Sequence, residues 1–219
     1  MRNYISEVFG TFAIVFFGTG VVIVNQETHG VVGHTGICIV WGLIVMSMIY
    51  ALGTVSGAHF NPAVSIGFAI AKKFERAQVV PYIISQCVGA IAGSAVLKLL
   101  FPANEMLGGT MPAGSDVQSF VLEFILTFVL MAVIMRVAFG SKEQGLFAGL
   151  AISSIVCLEA LMAGPVSGAS MNPARSLGPA LVSMHMGKWW IYAIAPTLGS
   201  IAAVYFDMYL GPAGKVEGE

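Results

Sequence analysis

Two asparagines, each followed by proline and alanine, are the residues whose type and spacing promise chemistry. Ser56-Gly57-Ala58-His59-Phe60-Asn61-Pro62-Ala63 returns as Ser167-Gly168-Ala169-Ser170-Met171-Asn172-Pro173-Ala174. Asn is a favoured helix N-cap, and Pro suits the first helical position because it has no N–H to leave unpaired. Each copy therefore predicts a helix start, with Pro62 and Ala63 or Pro173 and Ala174 opening the helix after a loop of small residues. Helix starts carry free N–H groups and positive partial charge. If the two starts face each other, the expected chemistry is hydrogen bonding in a field that repels cations, protons included. A water molecule accepting from both Asn61 and Asn172 must point its own hydrogens away, which interrupts a proton-conducting chain. The approach loops, with Gly57, Ala58, His59 and Phe60 in one and Gly168, Ala169, Ser170 and Met171 in the other, would expose carbonyls as a ladder of acceptors. No pairing of nucleophile with base suggests an enzyme, and no Cys-x-x-Cys or Cys/His cluster suggests a metal or cofactor.

The elements that must hold these loops are membrane spans. The 219 residues are 57% hydrophobic and 10% charged, with mean hydropathy +0.87, too little charge to cover a soluble domain of this length. A net charge of −1 without a basic tract argues against nucleic acid as a partner. Cys38, Cys87 and Cys157 each sit in an apolar run and read as small buried hydrophobes. A hydrocarbon core needs about 20 apolar residues per helix. Six stretches meet or approach that requirement: 4–24, 34–54, 78–100, 117–138, 145–163 and 188–210. The first begins after Met1-Arg2-Asn3 and carries Glu7, so it reads as a retained span rather than a signal peptide. The runs 61–71 and 172–184, which follow the two asparagines, are too short to cross. Non-helical backbone at membrane depth survives only where protein buries it or where it lines water. A doubled motif thereby becomes a pore.

Lys and Arg fix the expected orientation. With both termini cytoplasmic, Arg2, Lys72, Lys73, Arg76, Arg136, Lys142 and Lys215 lie inside, and only Lys98 and Lys188 outside, Arg175 being counted with the second motif. Three spans per half make the halves, approximately 1–111 and 112–219, inverted repeats with a shared site at the midplane. Glu7 answers Glu123 and Gly89 answers Gly199. The symmetric acids are expected to accept N–H donors from the loop of their own half. Gly89 with Gly93, and Gly145 with Gly149, are expected to permit close helix packing.

Two Asn-Pro-Ala boxes in a six-span inverted repeat, the second continued as Arg175-Ser176, resemble the major intrinsic proteins, the aquaporin and glycerol-channel family. The resemblance covers nearly the whole chain. It implies an all-α fold of six transmembrane helices and two re-entrant half-helices, passive conduction, and a homotetramer with one pore per subunit. It also implies a selectivity filter containing Arg175, with Trp41, Ala160 and Ala169 placed by their spacing from the motifs. Trp41 early in an inward-running span and Ala160 late in an outward-running one should stand level with Arg175. Strict water channels carry Phe and His at the first two places; a Trp, Ala, Ala, Arg ring is similar to nodulin-like intrinsic proteins, which pass glycerol, water and sometimes metalloid acids. The stretch from Ala163 to Met171 is similar to that group as well. Ser176-Leu177-Gly178-Pro179-Ala180 is, in contrast, similar to water channels, whereas glycerol facilitators carry Asp after the Arg. The expected function is conduction of water and small neutral solutes, with a strict water channel as the alternative. The default location is a plasma membrane or bacterial inner membrane. An ion-coupled transporter would instead place paired acids at the midplane, and a junction protein would show long loops or tails.

His59 is expected to form structural hydrogen bonds, while His29, His34 and His185 fall near membrane edges as weak pH-sensor candidates. Glu159 beside Ala160 should point about 100° away from the filter position and bond an outer loop or a rim charge; the alternative is that it reaches the lumen, putting negative charge beside Arg175 and shaping solute choice. Trp189 and Trp190 are expected to anchor at the interface.

Overall fold

A computed structural model describes residues 1–211; Lys215, counted above for orientation, lies outside them. Among the described residues, six helices are long and apolar enough to cross a membrane. They are α1 (Arg2–Glu27), α2 (Gly33–Ser56), α4 (Arg76–Leu100), α5 (Asp116–Ala138), α7 (Ala148–Ser167) and α9 (Trp189–Leu210). Between them lie α3 (Pro62–Ile70), α8 (Pro173–Val182) and the short α6 (Lys142–Leu146), and the described residues contain no strand. With 9 and 10 residues, α3 and α8 span only about 15 Å, half of a hydrocarbon core of ~30 Å.

Glycines decide the helix seams. α1 lies along α4 and α5 along α9. A Cβ on Gly89 would stand 2.2 Å from the Val8 carbonyl oxygen, and one on Gly199 2.3 Å from that of Phe124. Those neighbours are backbone and cannot rotate aside. Gly89→Ala or Gly199→Ala is therefore expected to force the helices apart, at a cost of about 1–3 kcal/mol or more. A clear drop in Tm of the detergent-solubilised protein would show it, with Gly145→Ala as the silent control. Gly145 departs from its expected packing role: a Cβ placed there would meet nothing within 4 Å among the described residues outside its own turn. The chain breaks at Phe147, between α6 and α7, so Gly145 and Gly149 do not share one helix face. Gly149 alone is packed, against the Tyr50 ring.

The half-helices interlock across the two halves of the chain. α3 packs on α9 as well as α4, and α8 on α4 as well as α9. Ser200 Oγ donates to the Ala63 carbonyl at 2.7 Å. A Cβ on Gly178 would meet the Ala90 carbonyl oxygen at 2.5 Å. Ion pairs tie α5 to α9 at both ends, Asp116 with Lys188 at 2.6 Å and Arg136 with Asp207 at 2.8 Å.

Candidate functional site: the pore

The two approach loops begin where α2 and α7 stop. Gly57 and Gly168 end those helices at φ +83° and +88°, a left-handed conformation that glycine adopts without a Cβ penalty. Beyond them Ala58, Phe60, Ala169 and Met171 also hold positive φ, between 42° and 51°. Such backbone costs of order 1–3 kcal/mol per residue and persists only where the surroundings impose it. The imposing groups are the two buried acids. Glu7 accepts from His59 N at 3.1 Å, Phe60 N at 2.7 Å, Ser56 Oγ at 2.7 Å and Gln86 Nε2 at 2.8 Å. Glu123 accepts from Ser170 N at 2.9 Å, Met171 N at 2.8 Å and Ser167 Oγ at 2.7 Å.

Other partners are symmetric but had no signal that reading the chain alone picked out. Tyr82 and Tyr192 donate to the carbonyls of Ser56 and Ser167, at 2.9 and 2.7 Å. Ser65 Oγ lies 3.0 Å from His59 Nδ1, and Ser176 Oγ contacts Ser170 Oγ and accepts from Thr110. The serines could have been found from their matched spacing, each four residues after the asparagine of its motif.

At the centre the asparagines do two jobs at once. Asn61 Oδ1 caps α3 by accepting from Ala63 N, and Asn172 Oδ1 caps α8 by accepting from Ala174 N and Arg175 N. Each amide nitrogen also donates across the centre, Asn61 to the Met171 carbonyl at 2.7 Å and Asn172 to the Phe60 carbonyl at 2.8 Å. Each NH2 keeps its second hydrogen for the lumen. The acceptor ladder changes accordingly. Phe60 and Met171 spend a lone pair on these cross-ties. The carbonyls of Gly57, Ala58, His59, Ala169 and Ser170 receive no protein donor among the described residues. Gly168 packs against Thr110 rather than on the cavity wall.

A cavity of about 560 Å³ runs past both asparagines. Trp41, Ala160, Ala169 and Arg175 all line it. The Arg175 guanidinium lies 4.6 Å from the centroid of the Trp41 ring, a cation–π geometry. Trp41 is backed by Gly18 of α1, where a Cβ would overlap the indole at 2.3 Å. Gly10 makes the same allowance for Phe60, at 2.1 Å. Arg175 is 4% exposed, and its Nη1 finds no protein acceptor. At the opposite end the wall is aromatic, with Tyr50, Phe68, Phe74 and Phe139, and Lys73 lies over the Phe139 ring at 5.1 Å.

His59 is buried among the rings of Phe68, Phe74 and Tyr82. His34 Nε2 contacts the Leu161 carbonyl at 2.8 Å, His185 contacts Ser183, and His29 is exposed. Cys38, Cys87 and Cys157 are free thiols. Two expectations need correcting. Trp189 is half-buried and donates Nε1 to the Pro173 carbonyl at 3.2 Å, bracing the second motif; only Trp190 is exposed like an anchor. Glu159 bonds neither a loop nor a rim charge among the described residues: it is 3% exposed, and neither carboxyl oxygen has a partner there. The α7 helix turns it away from the cavity that Ala160 lines.

Comparison with known proteins agrees with this geometry. The family model for major intrinsic proteins matches residues 1–206. The chain belongs to the major intrinsic protein family. It is 48% identical to aquaporin NIP1-1 of Oryza sativa subsp. japonica, over 94% of this chain and 72% of that protein. It is 44% identical to nodulin-26 of Glycine max, over 94% of this chain and 76% of that protein. Among solved structures, the aquaglyceroporin from Plasmodium falciparum superposes with a TM-score of 0.81 at 30% identity, covering 94% of both chains. This major intrinsic protein is thus an integral-membrane channel for water and small neutral solutes, not an enzyme.

Proposed function

We propose that this channel admits glycerol-sized polyols, and uncharged hydroxylated acids of metalloids, alongside water. Trp41, Ala160, Ala169 and Arg175 form its selectivity ring. The observation that carries this reading is the asymmetry of that ring. On one side the Arg175 guanidinium stands at the cavity wall, 4.6 Å from the Trp41 ring centroid, as a donor for solute hydroxyls. On the other, Trp41 presents a broad apolar face while Ala160 and Ala169 leave room. A polyol has one face of each kind. Asn61 and Asn172 bind the passing molecule through their remaining amide hydrogens. Two half-helix N-termini aimed at that point repel protons and other cations. Glu7 and Glu123 hold the loops, and the unbonded loop carbonyls accept from the solute. The chain functions as two inverted repeats, approximately 1–111 and 112–219, with both termini cytoplasmic, in a plasma or bacterial inner membrane. Its outward helix faces, such as Ile5, Phe9, Ile39 and Leu43 on α1 and α2, suit lipid or the neighbouring subunits of a homotetramer.

A strict water channel is the second reading, favoured by Ser176 at the position after Arg175. Stopped-flow light scattering on proteoliposomes separates the two. An impermeant osmolyte should cause fast shrinkage, and a glycerol gradient should cause shrinkage followed by re-swelling. Fast shrinkage with no re-swelling in glycerol would sink the polyol reading and leave the strict water channel.

A further inference from the structure

Among the described residues, Glu159 is the one buried acid that holds neither approach loop. Ala160 lines the cavity, and Glu159, one residue earlier on α7, is rotated by about 100° into the protein. It is 3% exposed, and no protein donor reaches either oxygen. Glu7 and Glu123, also buried, take four and three donors respectively. Burying an ionised carboxylate without donors is expensive, and burying a neutral carboxyl is far less so. The arrangement seen here therefore suits a protonated Glu159.

Ionisation would act on the filter through groups already in place. Glu123 is carried by α5, which packs against the α7 helix of Glu159. The charge of Glu123 holds Ser170 N and Met171 N, and with them the strained second loop. A second negative charge repels the first. Relief comes by drawing in water, or by loosening the Glu123 hold on Ser170 N and Met171 N, the loop that leads into Arg175 of α8. Either movement displaces the ring. The other titratable groups near this seam are Tyr192 of α9, His34 and Cys38 of α2, and Cys157 of α7 itself, with His34 held to the Leu161 carbonyl. None of these is a second acid. We propose that Glu159 is a proton-operated positioning residue for the selectivity ring, which conducts when Glu159 is protonated and is pulled out of shape when it ionises.

The inference rests on the channel reading, and water flux at acid pH tests that reading separately, since it must be fast in wild type. Osmotic permeability of proteoliposomes is measured across a pH series for wild type, Glu159→Gln and His34→Ala. Wild type should lose permeability reversibly as pH rises, with a slope no steeper than about tenfold per pH unit, the limit for one proton. Glu159→Gln should stay permeable throughout, and His34→Ala should follow wild type. Infrared difference spectra of wild type give a second readout, because a protonated-carboxyl band should vanish over the pH range in which flux falls. That readout stands even if the Gln variant folds poorly. A flat wild-type profile, a Glu159→Gln protein that keeps the wild-type fall, or a carboxyl band unchanged while flux falls would each overturn the proposal.

Discussion

Glu123→Ala is expected to abolish water conduction and to destabilise the protein severely. The Glu123 carboxylate is the acceptor for Ser167 Oγ, Ser170 N and Met171 N, all buried. A buried donor left bare costs about 1–3 kcal/mol, and more where it had served a charge. Those same bonds oppose the strain at Ala169 and Met171, whose φ angles are 42° and 51°. Without them the loop is free to relax, taking with it the Met171 carbonyl that Asn61 bonds and the backbone that carries Arg175. Glu7→Ala should be milder, although Glu7 holds more donors. Gln86 already sits beside Glu7, and its Oε1 has no partner, so it can turn to accept a loop N–H. The equivalent position in α9 is Pro196, which offers no such rescue. Water permeability per folded channel, measured with Tm in detergent, ranks the two variants. Equal losses, or a conducting Glu123→Ala, would contradict this account of the loop.

Much of this arrangement was legible in the sequence because it is written in local signals. Asn followed by Pro marks a helix start, and short apolar runs mark helices that cannot cross; α3 and α8 begin at Pro62 and Pro173, where those signals put them. The acids Glu7 and Glu123 stood out because charge inside a span is costly. Where the reading failed, the deciding contacts were between distant segments. Phe60 and Met171 bond the asparagines of the opposite halves. Trp189 looks like any interfacial tryptophan until α8 is placed beside it. Tyr82, Tyr192 and Gln86 are ordinary polar residues within apolar helices, and only packing turns them toward the loops. Gly18, which makes room for Trp41, is indistinguishable along the chain from other helix glycines. The proposed ring rests on family spacing, because no periodicity of α2 or α7 singles out Trp41 or Ala160.

Ala160→His is expected to cut glycerol flux by about tenfold or more while leaving fast water flux, since a few heavy atoms in a fitted site change discrimination by about 1–3 kcal/mol. The imidazole must enter the cavity, because Ala160 already faces it and is 6% exposed. The far wall cannot retreat. The Trp41 indole is pressed against α1 so closely that even a Cβ on Gly18 would meet it at 2.3 Å. The near side cannot retreat either, because the Asn172 cap and the loop under Glu123 fix the backbone of Arg175. The added volume therefore comes out of the lumen, and the ring acquires a polar wall where a polyol would lay its carbon face. Adding Ala169→Thr should tighten the opening further, but a β-branched residue at φ +42° is strained, so the single variant is the cleaner measurement. Re-swelling in a glycerol gradient, after a matched shrinkage in an impermeant osmolyte, reads both fluxes on one vesicle preparation. If Ala160→His passes glycerol at the wild-type rate, the narrowest constriction lies elsewhere along the cavity and the ring has been misassigned. The aromatic end, where Phe139 stacks under Lys73, would then be the place to look.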